Sequence, residues 1–492
     1  MGHNAGVSKG RLAVALPVVL AAALSAAAVA RAPRRPVARG ASAVVTVRFD
    51  ARRPGPVVAP AFLGLSFEDE SIPQLGAFAD EGDAVALLRD VGPGVLRLGG
   101  VTADEQGFAG PGVAPDPGTS TTISDADLAR LAALVRAAGW RVLLTVDLAH
   151  DDPSDAAAEA AAAYRALGSA LLAISVGNEP DAYGRHGLRP LPWGFAQYRP
   201  QLEAYRRAIA AAAPGVPLAG PDTTGAAFAA WGPGEARDIR PALLTTHRYP
   251  LVCEAVPAPS IAALLDDGTR ARDMAQLASD MAIARAARLP LRIDEANSVS
   301  CGGVAGVSDT FASALWAVEF IAEAMDAGVA GVNFHDIPSN CLGYSPLCAP
   351  SPAALARGAL VARPEFYALL MMRSLVSDRA LPTALTPGSD GVRGWAFLSP
   401  HGKVAIALVD VAPPGAPAAT VRIDVGRRFT HAHVTSLTAP SPAATGDVRL
   451  GGRAVAADGA WPGAGAPLVV RAAADVVTVS LAPSSGALVG LG

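Results

Sequence analysis

Eight short apolar runs rich in branched residues recur between about residues 60 and 340 of the 492-residue chain, and most end in polar or charged residues. They are FLGLSFEDE, GVLRLGG, RVLLTVDLAH, LLAISVGNEPD, PLAGPDTT, LLTTHRYP, PLRIDEANS and GVAGVNFHDI. Between them lie stretches of helical periodicity, such as 125–138, 198–213, 270–288 and 310–327. A strand-then-helix repeat demands a parallel sheet, because parallel strands need a crossover long enough to hold a helix. Eight such units over about 280 residues match the count and size of a (β/α)8 TIM barrel. A doubly wound open sheet would place a Gly-rich phosphate turn after its first strand, and here that strand ends in SFEDES.

After the helical patch PEFYALLMMRSL (364–375), the pattern changes to alternating strands separated by Pro/Gly turns: GVRGWAFLS, KVAIALVDV, ATVRIDV, HAHVTSL, PLVVRA and DVVTVSLA. The fold class expected is therefore α/β, a barrel over 59–375 with a C-terminal β-sandwich over 376–492. The strand-like segment 43–58 is expected to join that sandwich. Composition agrees with a large buried core, being 51% hydrophobic and 17% charged. A net charge of -4, without a basic run beyond the first forty residues, argues against a nucleic-acid partner.

Lys9 and Arg11 precede an apolar stretch from Leu12 to Val29 that closes on Ala28-Val29-Ala30, which reads as a signal peptide over 1–30. A membrane anchor is the competing reading; Pro17 and the A-x-A site favour cleavage, hence a secreted or periplasmic protein without stable membrane insertion. Residues 31–42, rich in Arg and Pro, read as a disordered leader. In an oxidising compartment four cysteines favour disulfides. The short loop between Cys341 and Cys348 pairs these two and leaves Cys253 with Cys301, although four cysteines permit other pairings. Zinc would need closer Cys spacing with neighbouring His. No metal and no cofactor are expected.

The chemistry concentrates at two strand ends. The fourth run stops at Asn178, Glu179 and Pro180; because Pro180 disfavours α geometry for the residue before it, Glu179 is expected to be extended and presented at the barrel mouth. The seventh ends in Asp294, Glu295, Ala296 and Asn297, three strands further around the ring. Two carboxyl groups facing across a pocket suit glycosidic bond cleavage, one protonating the leaving oxygen while the other attacks or stabilises the anomeric carbon. The bland alternative is that both are strand-end acids capping the next helix. His247 and His335 end strands six and eight and are further pocket candidates, although each could be a hydrogen-bonded core histidine. A metal site from His247, His335, Asp336 and a Glu lacks tight spacing. Trp193, Trp231 and Tyr344 lie in loops after strands four, five and eight and could stack on sugar faces or pack those loops.

These motifs resemble a clan A retaining glycoside hydrolase, and within that clan family 79, the heparanase and β-glucuronidase family. The resemblance spans about residues 44–490. N-E-P after strand four and a Glu ending strand seven belong to the clan. More family-like are Arg97-Leu98-Gly99-Gly100 with Asp104, His247-x-Tyr249, and the pair Gly302-Gly303 after the strand-seven Glu. The resemblance implies that Glu179 is the acid/base, Glu295 the nucleophile, and Asn178 the ligand of the sugar 2-hydroxyl. It further implies that Tyr249 hydrogen-bonds the nucleophile, and that Glu68 and Asp104 hold hydroxyls of the terminal sugar. Arg97 reads as a structural ion-pair partner more than a ligand.

Family members that accept glucuronate place a Tyr and then glycines after the nucleophile, with backbone N–H groups receiving the sugar carboxylate. Here Ser300 stands at the Tyr position while Gly302 and Gly303 remain. The expected activity is exo-acting cleavage of a β-glucuronide by double displacement. A β-xyloside or β-glucoside is the alternative substrate, and a non-catalytic carbohydrate-binding protein the alternative class. With few basic clusters and only Lys9 and Lys403, a short, weakly charged glycoside fits better than a sulfated polymer.

Overall fold

The computed structural model describes residues 44–110, 119, 121–386, 391–425 and 429–492; the signal peptide and leader expected over 1–42 lie outside them. All eight expected runs form parallel strands: Leu63–Glu68, Val95–Gly99, Arg141–Val146, Leu171–Val176, Ala219–Thr223, Leu243–Arg248, Leu291–Ala296 and Gly331–His335. Numbered one to eight, they lie in the order 4-3-2-1-8-7-6-5. Ile174 N–H donates to Pro217 O at 2.9 Å across the seam between strands four and five, and nearly closes the ring. Covered by helices outside and filled inside, these strands are buried on both faces, which is why they read as continuous apolar runs.

Local signals set the helix ends. At Asp125–Ala138, Ser124 and Asp127 cap each other's backbone N–H reciprocally, satisfying donors the first helical turn cannot. Helix Phe311–Ala327 is buried on all sides from Phe311 to Met325, because the barrel covers one face and the C-terminal sheet the other. Ion pairs stitch the two together: Arg393 of strand Val392–Leu398 bonds Glu319 on that helix, and its Nη2 lies 2.8 Å from Asp267.

The C-terminal region forms two sheets with a shared apolar layer that includes Val45, Val47, Ile406, Leu408, Val421, Val477 and Val489. Strand Val44–Phe49 joins it, pairing parallel with Ala419–Asp424 and antiparallel with Thr383–Leu385. Among the described residues of this region, three short strands, Arg379–Leu381, Thr383–Leu385 and Arg449–Leu450, and one long one have no counterpart among the sequence-predicted strands. Ser485–Leu491 pairs on both sides, with Val404–Asp410 and His431–Thr438, although Gly486 and Gly490 give it poor intrinsic strand preference. Its neighbours' ladders supply what its side chains do not. Barrel and sheet share one continuous apolar core, in which Trp395, Phe397 and Val409 cluster with barrel-side residues such as Phe320. The division at 375/376 is accordingly a proposal about sequence organisation. Among the described residues no helix is long and apolar enough to cross a membrane.

Candidate active site

Parallel strands in a barrel all end on one face, and their C-terminal residues converge there. Carboxylate oxygens of Glu179 and Glu295 and Nδ1 of His247 lie within 4.8 Å of one another. His247 Nδ1 is 3.0 Å from Glu179 Oε1 and 3.8 Å from Glu295 Oε1. Strands four, six and seven thus deliver two acids and an imidazole to one point.

Glu179 is not extended. It takes φ 45°, ψ 52°, in the left-handed region, at the entry to the turn Pro180–Ala182. Pro180 removes the right-handed α option, as expected, but the remaining choice is made by tertiary bonds: Glu179 N–H donates to Asp222 O at 2.9 Å, and its own carbonyl accepts from Ala182 N–H at 2.8 Å. A non-glycine residue held there costs roughly 1–3 kcal/mol, which the surrounding bonds must offset. The side chain stays 26% exposed, so the acid faces solvent while its backbone is pinned.

Glu295 has the opposite surroundings. Arg97 Nη1 donates to its Oε2 at 2.7 Å, and the Tyr249 hydroxyl donates to Oε1 at 2.7 Å. Burial alone would favour the neutral acid; the charges of His247, His335 and Arg97 and the Tyr249 hydrogen bond outweigh it and hold the pKa down at about 2. Its neighbour Glu68 accepts from Thr102 N–H at 3.0 Å and Thr102 Oγ1 at 2.8 Å, and lies 3.3 Å from His335 Nε2. Burial opposes ionisation of Glu68 as well, but His335 overcomes it and keeps this carboxyl below its ordinary value.

Arg97, wholly buried, is the hub. Besides Glu295, its guanidinium donates to Asp222 Oδ2 at 2.9 Å, Asn178 Oδ1 at 2.8 Å and Ser66 Oγ at 3.3 Å. This agrees with the ion-pair reading of Arg97 and adds that its partner is the candidate nucleophile itself. Asn178 is placed beside it, its amide oxygen engaged by the guanidinium. Asp104 is 7% exposed and accepts from Leu148 N–H at 3.1 Å and Asn178 N–H at 3.2 Å, so it bonds the loops after strands three and four; burial lifts its pKa to about 6. His335 Nδ1 meets the hydroxyls of Tyr344 at 2.6 Å and Tyr249 at 3.1 Å.

Of the three aromatics that could stack on a sugar or pack the loops, two pack, and Trp231 lies on helix Gly225–Asp238 instead of in a loop. Trp231 is 6% exposed and packs against Phe195 and Tyr198, and Tyr344 is 2% exposed with its hydroxyl spent on His335. Trp193 donates its Nε1–H to Pro180 O at 2.7 Å and so braces the turn behind Glu179. Both expected disulfides form, Cys253–Cys301 and Cys341–Cys348. The first ties the loop after strand six to the loop after strand seven. There Ser300 Oγ accepts from Cys253 N–H at 3.1 Å, and Gly303, at φ 89° where an added Cβ would strike Tyr344 N at 2.8 Å, donates its N–H to Ser300 O at 3.2 Å. Gly302 O accepts from Tyr344 N–H at 3.3 Å.

Sequence reasoning passed over Asp222 and Thr102. Asp222 had the one available signal, an acidic residue at the end of a barrel strand, in the run PLAGPDTT. Among the described residues two groups have spacing that a cation accepts, Glu179/His247/Glu295 and Asp222/His247/Asp294. In both the Arg97 guanidinium already supplies positive charge, at 2.7 Å from Glu295 and 2.9 Å from Asp222, which disfavours a further cation.

No protein-family model matches the sequence, and no curated protein does. Among solved structures the chain is similar to a 4-O-α-L-rhamnosyl-β-D-glucuronidase from Fusarium oxysporum 12S, with TM-score 0.72 and 19% identity over 90% of this chain and 99% of that one. It is also similar to a family 51 arabinofuranosidase from Xanthomonas axonopodis pv. citri, with TM-score 0.66 and 18% identity over 91% and 100% of the two chains. A third is the catalytic domain of a family 30 xylanase from Talaromyces cellulolyticus, with TM-score 0.56 and 11% identity over 91% and 100%. At these identities the likeness establishes the architecture: a (β/α)8 barrel carrying a C-terminal β-sheet region, a fold that all three glycoside hydrolases share with this chain.

Proposed function

We propose that this chain is a glycoside hydrolase that cleaves a β-linked glycoside with retention of configuration, Glu295 acting as nucleophile and Glu179 as acid/base. The observation that carries this is the approach of the two carboxyl groups, with oxygens within 4.8 Å across the barrel mouth. Retaining enzymes hold their carboxyl groups about 5–5.5 Å apart, whereas inverting enzymes need about 6.5–9.5 Å to admit a water between them. The electrostatics agree with the roles. Glu295, held ionised by Arg97 and Tyr249, is ready to attack the anomeric carbon. Glu179, on the solvent side beside His247, protonates the leaving oxygen and then deprotonates the water that releases the sugar. Asn178, with its oxygen taken by Arg97 and its backbone N–H held by Asp104, offers its Nδ2–H to the 2-hydroxyl, and Glu68 and His335 border the same sugar. Export fits the two disulfides.

A β-glucuronide is the leading substrate, supported by the family 79-like motifs and the likeness to the Fusarium glucuronidase. One observation favours a neutral hexoside or pentoside instead: Gly303 N–H, a donor that would receive a uronate carboxylate, is spent on Ser300 O. A panel of aryl β-glucuronide, β-xyloside, β-glucoside and β-galactoside, run with wild type, Glu179→Ala and Glu295→Ala, decides between them. Cleavage of one aryl glycoside by wild type and its loss in both variants is expected. Azide should then yield opposite anomers from the two variants. If wild type cleaves none, or either variant keeps full activity, the catalytic assignment is wrong.

A further inference from the structure

Beneath the two candidate catalytic acids lies more carboxylate than the neighbouring cations neutralise. Glu179, Asp222, Asp294 and Glu295 surround one guanidinium, Arg97, and two imidazoles, His247 and His335, and Asp222 and Asp294 are both wholly buried. Asp222 Oδ2 accepts from Arg97 at 2.9 Å, with Thr145 Oγ1 at 3.4 Å, and its Oδ1 is 3.4 Å from His247 Nε2. Asp294 has no such partner. Neither of its oxygens has a donor among the described residues, and its approach to His247 Nε2 is 4.0 Å. Yet a carboxylate oxygen from each Asp and a His247 nitrogen fall within 4.8 Å of one another. Two facing carboxylates shut away from water repel each other unless a proton or a cation lies between them.

We propose that Asp294 is a neutral carboxylic acid that donates its proton to Asp222, and that this acid–carboxylate pair is a positioning element that fixes His247 against Glu179. The placement of the proton follows from the partners: Asp222 has the guanidinium and the imidazole to stabilise its charge, and Asp294 has neither in bonding range. Burial pushes Asp294 well above its ordinary value, with the Asp222 charge adding to it; Asp222, equally buried, is held low by the charges of Arg97 and His247. His247 then has neighbours at both ring nitrogens, with Nδ1 3.0 Å from Glu179 Oε1 and Nε2 at 3.4 Å from both Asp222 Oδ1 and Arg97 Nη2. An imidazole flanked at both ring nitrogens is restrained from turning, and the acid/base is aimed through it. The catalytic consequence rests on the function proposed above, but the protonation state does not.

The test uses the full chain with Asp294→Ala, Asp294→Asn and Asp222→Asn. Asp294→Ala should lower kcat about a hundredfold with a much smaller change in KM, the size expected when an acid/base is misplaced by an ångström. Asp294→Asn keeps an N–H donor toward Asp222 and should recover about tenfold or more of that loss. Asp222→Asn removes the anion from a His247 faced by Glu179, Asp294, Glu295 and Arg97, and should bring a new ionisation into kcat/KM at roughly pH 5–8. Independently of activity, the infrared difference between wild type and Asp294→Asn at neutral pH should contain the C=O band of a protonated carboxyl group. A difference showing only ionised carboxylate overturns the proposal, as does an Asp294→Asn variant no better than Asp294→Ala. A stoichiometric divalent ion that is lost in Asp294→Asn would likewise overturn it and make the pair a metal site.

Discussion

Replacing Tyr249 by Phe removes one oxygen and leaves the ring that stacks on Tyr344 in place. The lost group is the donor to Glu295 Oε1 at 2.7 Å, a hydrogen bond to a charged acceptor, worth about 1.5–3 kcal/mol. At 1.36 kcal/mol per pK unit, the Glu295 pKa should rise by about one to two units from about 2. The sign follows from linkage. A carboxyl whose folded pKa lies below its ordinary 4.5 stabilises the fold above that value, and the stabilisation disappears as pH falls toward the folded pKa. In wild type this contribution is about 3 kcal/mol at neutral pH, lost between roughly pH 4.5 and 2; in Tyr249→Phe about half or less remains, lost between roughly pH 4.5 and 3–4. Two measurements read it: the acid limb of kcat/KM against pH, and urea unfolding at pH 7 and pH 3. The limb should move up by about one unit or more, and the stability difference between the proteins should shrink as pH falls. An unmoved limb, or a stability loss that is the same at both pH values, would show that Tyr249 does not hold Glu295 ionised.

Arg97→Met should cost about 3–5 kcal/mol of stability, because it leaves Asp222 and Glu295 as buried carboxylates without their shared cation; chemical denaturation measures it, and a loss below about 1 kcal/mol would refute the hub role. Gly100→Ala places a Cβ 2.3 Å from the Glu68 carboxylate at a residue with φ +71°. It should displace Glu68 and raise KM more than it lowers kcat, as steady-state kinetics will read. Ser124→Ala removes one half of the capping box at the start of helix Asp125–Ala138 and should cost about 1 kcal/mol in thermal unfolding, with kcat unchanged.

Much of this molecule is written locally. The eight barrel strands are legible because burial on both faces demands uninterrupted apolar runs, such as VLRLG and LLAISV, and because each must stop where its backbone meets solvent. The Asp125–Ala138 helix is legible for the same local reason, its cap lying within three residues of its start. Glu179 and Glu295 could be picked out because polar residues at the ends of apolar strands have one face on which to gather. The strand Ser485–Leu491 was hidden, since its stability comes from ladders on both sides and not from its own small residues.

The site's charge arrangement belongs to the tertiary structure. Arg97 on strand two reaches Asp222 on strand five and Glu295 on strand seven, separations of 125 and 198 residues that no local pattern encodes. The left-handed turn at Glu179 is likewise set by a bond to Asp222 O, with Pro180 only narrowing the options. Chain composition and periodicity determined a barrel whose mouth holds two opposed acids. Closure of that barrel decided that Glu295 keeps its charge, because desolvation and counter-charge act through distances in space, and those exist only once the ring has formed.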